Sequence, residues 1–572
     1  MKRLSFSLMV ALGVFCCLVL GVLLITPQSF DIGFHLMRID ALWEALSYGV
    51  FPCRMYTHAA NGYGYAAPLY YPDLALLPPA LLRGLGLSRM VVLRIWIFVL
   101  ALLPFLTTYG TARALGMSKY SARILALFYG FSLPQFVALF WTQLGSANSG
   151  VFLPVFLLPL LVLSTREVLT PSQMRRIAGL IIAGGVGLIS GHIISTVLAV
   201  LFAALIVLLN VQRLLKPPRR VLLLVGCALC VLSLSAWFWQ PFIEQNLVGG
   251  LLIHERGTSG NLLETRMTLR DFFFPGYLFN YWNALTGNSL ESSPFFRRFG
   301  IGFFVLPWLM YCGYQWKRLW VSIDKVGKLC GGLVIIGLLS VIWAPVIQLL
   351  NHWMGWMQFL NRLYVFGTLF LGVWVAQSLE GEPSRLIRRG WIILYLGCSL
   401  LFFAQLPLER GLYYRAHFRE AWTLESVQDS IAWGQEYLPA KAASWWTEKT
   451  PPVCLIDGKP TADWQDKGFF TVTIPPSEKT LTVVVPKFWY KGYAARLDGE
   501  EIALSENDKG LISIACPSAS SSRILEVYYA GTSVQRVANW ISLGALVGLG
   551  VGGVVWLRFR CRSGRIANLA QS

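Results

Sequence analysis

Charge is what this sequence has least of. Asp, Glu, Lys and Arg make up 13% of its 572 residues, where a soluble domain carries about 25%. With 55% of residues hydrophobic, most of the chain belongs in lipid rather than in water. Acidic residues are scarcer than basic ones, and the resulting net charge of +19 invites a nucleic-acid partner. The distribution of the cations excludes it. They cluster in short loops between apolar runs, at Lys2-Arg3, Arg175-Arg176, Arg213–Arg220, Lys317-Arg318, Arg385–Arg389 and Arg558–Arg562. A nucleic-acid-binding face would instead be contiguous and sit on a soluble domain. Short basic loops between apolar runs mark the cytoplasmic side of a multi-span membrane protein.

Other absences narrow the chemistry. The 11 cysteines form no framework, because Cys16, Cys17, Cys227, Cys230, Cys312, Cys330 and Cys398 lie in apolar runs as ordinary small lipophilic residues. Cys227-Ala-Leu-Cys230 has redox spacing but no soluble βαβ context. Cys454 and Cys516 share the one large polar segment and can pair in an oxidising compartment. No small-x-small cleavage site follows the N-terminal run Leu4–Ile25, which reads as a retained first span. No closely spaced His and acid set suggests a metal site, so no cofactor is assigned, with a divalent cation left open. Nucleophile-elbow, P-loop and acyltransferase spacings are missing too, as are internal repeats, low-complexity tracts and long linkers.

What is there is a series of about twelve apolar runs long enough to be spans. They lie near 4–25, 89–110, 121–140, 150–164, 176–190, 194–210, 220–238, 299–316, 328–350, 361–379, 389–406 and 537–557. With the N-terminus inside, every basic loop falls in the cytoplasm, and so does the C-terminus. Three outer segments are then long: 26–88, 239–298 and 407–535. Within the first, Ala66–Leu87 is apolar, proline-rich and carries Asp73, which suits a helix in the interface rather than a span. The second is aromatic and holds His254, Glu255, Arg256, Glu264, Arg266, Arg270 and Asp271. The third alone has soluble composition: a helix-like stretch Arg419–Tyr437 precedes β-rich runs at Phe469–Ile474, Leu481–Val485, Leu511–Ala515 and Ile524–Tyr529. The expected organisation is a polytopic helical domain over 1–406, a small β-sandwich over 407–535, and a last helix with a basic tail over 536–572.

The candidate site follows the first span. Asp31, His35 and Arg38 stand at i, i+4 and i+7, so one helical face carries an acid, an imidazole and a guanidinium at the membrane surface. A structural account is available for each: a charge at a helix start capped by Ser29, and an intrahelical ion pair. Asn61-Gly-Tyr63-Gly-Tyr65 is a glycine-bent turn whose tyrosines suit either interface anchoring or sugar stacking. His192 interrupts an apolar hairpin near the outer side, as an interfacial histidine or a substrate contact. Arg362 opens a span at its outer end, where it can snorkel or grip a phosphate bidentately.

The ordered series Asp31-Ile-Gly-Phe-His35-Leu-Met-Arg38, Gly49-Val-Phe-Pro-Cys-Arg54, Gly62-Tyr-Gly-Tyr65 and Tyr70-Tyr-Pro72 resembles the start of the YfhO-like membrane proteins. These are also catalogued as 6-pyruvoyl-tetrahydropterin-synthase-related membrane proteins, within the GT-C glycosyltransferase superfamily. Ser190-Gly-His192, Gln358-Phe-Leu-Asn-Arg362, Glu436-Tyr-Leu-Pro439, Val485-Pro-Lys-Phe-Trp-Tyr490 and Leu497-Asp-Gly499 resemble later landmarks, so the likeness covers nearly the whole chain. It implies a GT-C fold in a bacterial cytoplasmic membrane, moving a sugar from a polyprenyl-phosphate donor to an envelope glycan, polymer or lipid acceptor. Asp31 matches the acid that would act as base. His35, Arg38, Arg54, Tyr63, Tyr65, His192 and Arg362 are the expected contacts to donor phosphate or substrate. Asp73 departs from the pattern, which has an apolar residue or proline there, and is either a second acid or a local oddity. The alternative is a non-catalytic lipid-linked-glycan transporter or envelope assembly scaffold of the same fold.

Overall fold

Helix ends in this chain are set by small polar caps and by proline, and the computed structural model shows where they fall. It describes residues 31–140, 143–256, 323–354, 362–395, 435–447 and 449–569, with residues 313 and 431. The helices that matter below are α1 Ile32–Ser47, α2 Leu77–Gly84, α3 Arg89–Ala114, α4 Lys119–Gly130, α5 Leu133–Phe140, α6 Leu144–Thr165, α7 Pro171–Ile189, α8 Ile193–Leu209, α9 Arg219–Leu234, α10 Ala236–Val248, α11 Lys325–Ile342, α12 Ala344–Met354, α13 Arg362–Glu380 and α14 Ser533–Leu569. Ser88 caps α3, Ser118 caps α4, and Thr170 with Gln173 forms a capping box on α7, whose first residue is Pro171.

Among the described residues, four helices are long and apolar enough to cross a membrane: α3, α6, α13 and the Ser533–Gly553 part of α14. A fifth crossing arises if α9 and α10, bent by 71°, are one span. The expected runs 89–110, 150–164, 361–379 and 537–557 fall on these four helices, while other expected runs among the described residues are shorter or broken. The run 121–140 is two helices, since Pro134 cannot supply an interior helical N–H and the chain breaks at Phe131-Ser132. Trp343 likewise separates α11 from α12, which opens on Ala344-Pro345. Helix α8 has 17 residues, short of a full crossing, and α6 starts earlier than expected, at Leu144. The expected spans 4–25 and 299–316, most of 396–406, Glu264–Asp271, and most of the Arg419–Tyr437 stretch lie outside the described residues.

The chain divides into two compact units: Met1–Glu44, Pro72–Val221 and Arg256–Glu436 in the first, and Ala45–Tyr71, Leu222–Glu255 and Tyr437–Ser572 in the second. The first is a helix bundle in which glycines allow close approach. A methyl on Gly184 of α7 would meet the Phe156 backbone of α6 at 2.6 Å, and one on Gly130 of α4 would meet the Phe105 backbone of α3 at 2.9 Å. At the end assigned to the cytoplasm, arginines satisfy helix C-termini. Arg220 donates to the carbonyls of Leu163, Arg166 and Glu167, Arg213 to that of Thr165, and Arg176 to that of Ala114.

In the second unit, ten strands form two antiparallel sheets: β1 Cys454–Ile456, β2 Lys459–Thr461, β3 Trp464–Asp466, β4 Phe470–Ile474, β5 Leu481–Phe488, β6 Tyr493–Leu497, β7 Glu500–Ile502, β8 Leu504–Glu506, β9 Leu511–Cys516 and β10 Arg523–Tyr529. The orders are β2-β1-β5-β9-β8 and β3-β4-β10-β6-β7. Alternate residues of both sheets, among them Phe470, Val472, Val483, Val485, Ile512, Ile514, Leu525 and Val527, close one core, as in a sandwich. Asp457-Gly458 and Asp498-Gly499 make the hairpin turns with positive φ at both positions. Cys454 and Cys516 are free. On β5, Leu481 stands opposite Cys516 and Val484 opposite Leu455, the neighbour of Cys454. Cys454 itself falls opposite Val485, so the separation along the strand is four residues, roughly 13 Å at about 3.3 Å per residue, too far for a disulfide.

Candidate active site

Asp31 immediately precedes α1, and its carbonyl accepts the first helical bond, from His35 N–H at 2.9 Å. Asp31 therefore occupies the capping position itself, where the helix N-terminus favours an anion. His35 and Arg38 follow on the same face, both buried. Arg38 is held from its far side: its Nη2 donates to Asp73 Oδ1 at 2.7 Å and to the Pro72 carbonyl at 2.9 Å. The unexpected acid at position 73 is thus the buried counter-ion of Arg38 and ties α1 to the chain entering α2. The Arg38 guanidinium also lies over the Phe34 ring, 5.3 Å from its centroid.

Two other helix starts join this end of the bundle. His192 caps α8, its carbonyl accepting from Thr196 N at 2.9 Å and from Thr196 Oγ1 at 3.0 Å. Arg362 is the first residue of α13. Burial pushes the Asp31 carboxyl up to about 6, against the pull of Arg362 and with added repulsion from Glu436. Burial also holds the His192 imidazole well below its ordinary value, helped by Arg362, Arg38 and His35. The His35 ring is lowered by burial and then by Arg38. Both imidazoles are therefore neutral at pH 7, and the mobile charge of the cluster rests on Asp31 and Arg362.

The physical result is a polar cluster at the N-terminal ends of α1, α8 and α13, built from groups that feel one another's charge. An uncompensated helix N-terminus carries roughly half a positive charge, so the place suits an anionic group. A carboxyl poised near neutrality beside it can take a proton. Glu436 escaped the sequence reading as a site residue, although its Glu-Tyr-Leu-Pro motif was visible. Among the described residues no group of three or more His, Cys, Asp or Glu is arranged to hold a metal ion.

Arg54, Tyr63 and Tyr65 belong to the second unit, and among the described residues they contact other parts of it. Arg54 Nη2 donates to Asn539 Oδ1 at 2.8 Å and its guanidinium lies over Trp237. Tyr63 stacks on Phe488 and donates to the Pro451 carbonyl at 2.8 Å. Tyr65 and Tyr56 exchange backbone bonds of 3.0 and 3.1 Å, which closes the loop between them. Lys487, buried, donates to the carbonyls of Thr57 and Gly62 at 2.8 Å each and pairs with Asp466 at 2.5 Å. The Gly-Tyr-Gly-Tyr and Pro-Lys-Phe-Trp-Tyr motifs thus bind each other. A pairing so distant along the chain leaves no periodic signal.

No family model matches the sequence, and no curated protein does. Among solved structures, the cryo-EM structure of the arabinofuranosyltransferase AftD from mycobacteria is similar at 14% identity with a TM-score of 0.41. The match covers 92% of this chain and 40% of that one, so the chain spans well under half the length of the protein it resembles.

Proposed function

We propose that this chain is a membrane glycosyltransferase of the GT-C type, transferring a sugar from a polyprenyl-phosphate donor to an envelope glycan, polymer or lipid acceptor at the outer face of the cytoplasmic membrane. The observation that carries this reading is the buried Asp31 carboxyl at the start of α1, pushed up to about 6 by burial and within reach of the charge of Arg362, where the N-termini of α1, α8 and α13 gather. The motif series that resembles the YfhO-like proteins supports it from the sequence side.

In this reading the acceptor hydroxyl attacks C1 of the sugar while Asp31 takes its proton. The bond from C1 to the phosphate oxygen breaks, and the lipid phosphate leaves with its electron pair. One displacement inverts the anomeric centre. Asp31 contributes about 10²–10⁴-fold as general base, most effectively because its affinity for a proton lies near the working pH. Arg362 and the helix N-termini stabilise charge developing on the leaving phosphate, the electrostatic effect that is usually largest in such transfers. His35 and His192, being neutral, serve as hydrogen-bonding walls. Arg38, neutralised by Asp73, orients α1.

The test is full-length protein purified in detergent with radiolabelled polyprenyl-phosphate sugars and an envelope extract as acceptor. Native protein should release lipid phosphate, and Asp31→Asn should express normally while losing at least 100-fold of that turnover. Binding of the lipid without turnover in the native protein would favour the transporter or scaffold instead. Unchanged turnover in Asp31→Asn would remove Asp31 from the mechanism.

A further inference from the structure

Asn148 sits in the first turns of α6, at the same end of the bundle as His192. It is 5% exposed, and among the described residues its side-chain Nδ2 has no hydrogen-bond partner. Buried amides in folded proteins are almost always bonded, so a donor left open inside a polar cluster points to something that arrives later. Its surroundings fix where. A methyl on Gly191 would stand 3.1 Å from Asn148 Nδ2 and 2.7 Å from Ser149 Oγ. The bare backbone of Gly191 is therefore what lets the hairpin before α8 close against this amide. The next residue is His192, whose ring feels the charges of Arg362, Arg38 and His35. Asn148 is thus placed beside the Gly191-His192 hairpin, which joins the cluster through His192.

The chemistry of an amide differs from that of its neighbours. It is neutral, offers two donors and one acceptor, and gains nothing from a charge that Arg362 and the helix ends already serve. Such a group suits a hydroxyl, which both donates and accepts. A site built to bond a hydroxyl also rejects ligands that lack it, because its own buried polar atoms are then left unmade. We propose that Asn148 hydrogen-bonds a hydroxyl of the transferred sugar and sets which sugar the protein accepts. The proposal rests on the polyprenyl-phosphate-sugar reading of the site.

Full-length protein in detergent would be titrated with bare polyprenyl phosphate and with polyprenyl phosphate carrying glucose, galactose, mannose or arabinose. Two variants serve: Asn148→Ala, and Asn148→Leu, which removes the amide while keeping the number and branching of side-chain heavy atoms. The expected result is that both variants bind bare polyprenyl phosphate within about twofold of native protein. Both should bind the preferred sugar lipid at least tenfold more weakly and rank the four sugars almost equally. Equal losses for bare and sugar-bearing lipid would overturn the proposal, since Asn148 would then hold the phosphate or only the fold. Retained sugar preference would overturn it as well, while leaving the glycosyltransferase reading intact. If native protein bound none of these lipids, the functional reading would fall and take this proposal with it.

Discussion

Asp31 shows how one carboxyl links function to stability. Its proton affinity in the folded chain, raised from 3.8 to about 6, comes first from burial, is opposed by Arg362 and is reinforced by Glu436. As the proposed base it would work only when ionised, so turnover should fall about tenfold per pH unit below 6 and level off above it. Initial rates measured from pH 4.5 to 8 check this. Removing the repulsion with Glu436→Gln should move the midpoint down, and removing the attraction with Arg362→Gln should move it up; parallel shifts would break the electrostatic account. For stability the sign is opposite to that of a salt-bridged acid. The folded chain binds this proton more tightly than the unfolded chain, so the contribution is complete below 3.8 and is lost as pH rises through about 6. Asp31→Asn should therefore melt a few degrees above native protein at pH 7.5, with the difference vanishing near pH 4 in thermal scans in detergent. Asp31 was legible in the sequence because a charge beside a long apolar run stands out. Asn148 was not, because a neutral side chain in a polar, small-residue stretch reads as ordinary loop.

At the scale of elements, the loop between Tyr56 and Tyr65 depends on a cation far along the chain. Lys487 donates to two of its carbonyls and to Asp466, while His58 Nε2 lies 3.5 Å from the same carboxylate. Burial alone would raise Asp466, but the His58 bond and Lys487 outweigh it and hold the acid below its ordinary value. Lys487→Met keeps the length of the side chain and deletes the charge, leaving a buried carboxylate with a weaker partner. Breaking such a pair costs about 3–5 kcal/mol, so amides of residues 57–65 should exchange at least 100-fold faster with solvent deuterium. Unchanged exchange there would mean the loop is held by its other contacts, such as Tyr63 against Phe488 and Pro451. A second element test is Gly184→Ala, which forces a methyl against the Phe156 backbone. Overpacking of this kind costs about 1–3 kcal/mol, and it should lower the melting temperature, whereas Gly179→Ala, with open space around it, should not. Hydropathy made the helices legible as apolar runs, and alternation found four of the ten strands. Breaks such as Ser132-Leu-Pro134 escaped because composition over a window does not register a single proline at a helix start. The short strands β1 to β3 and β6 to β8 escaped because three to five residues carry too little alternation to distinguish from turns.

At the scale of the whole molecule, the first unit has two chemically opposite ends. The candidate site gathers helix N-termini with Asp31 and Arg362, and the other end gathers helix C-termini under Arg176, Arg213 and Arg220. Each end complements the helix dipoles that meet it, and the basic end is the one that the positive-inside bias assigns to the cytoplasm. Orientation then follows from whether the short helices still cross. Helix α8, at 17 residues, is roughly 26 Å long at 1.5 Å per residue, against about 30 Å of hydrocarbon. A deficit of that size is met by local thinning and by flanking residues that reach the interface, so α8 should count as a crossing despite its length. The sequence places seven apolar runs between Ser172, in the first turn of α7, and Asp508, in the exposed turn between β8 and β9: 176–190, 194–210, 220–238, 299–316, 328–350, 361–379 and 389–406, an odd number that is expected to put the two residues on opposite sides. In intact cells a membrane-impermeant maleimide should label Asp508→Cys and leave Ser172→Cys unlabelled until the membrane is permeabilised, with the unsubstituted protein as control for its own thiols. Labelling of both from outside would mean that one short or bent helix, α8 or the α9–α10 pair, turns back within the membrane, and the site around Asp31 would have to be assigned to its side of the membrane afresh.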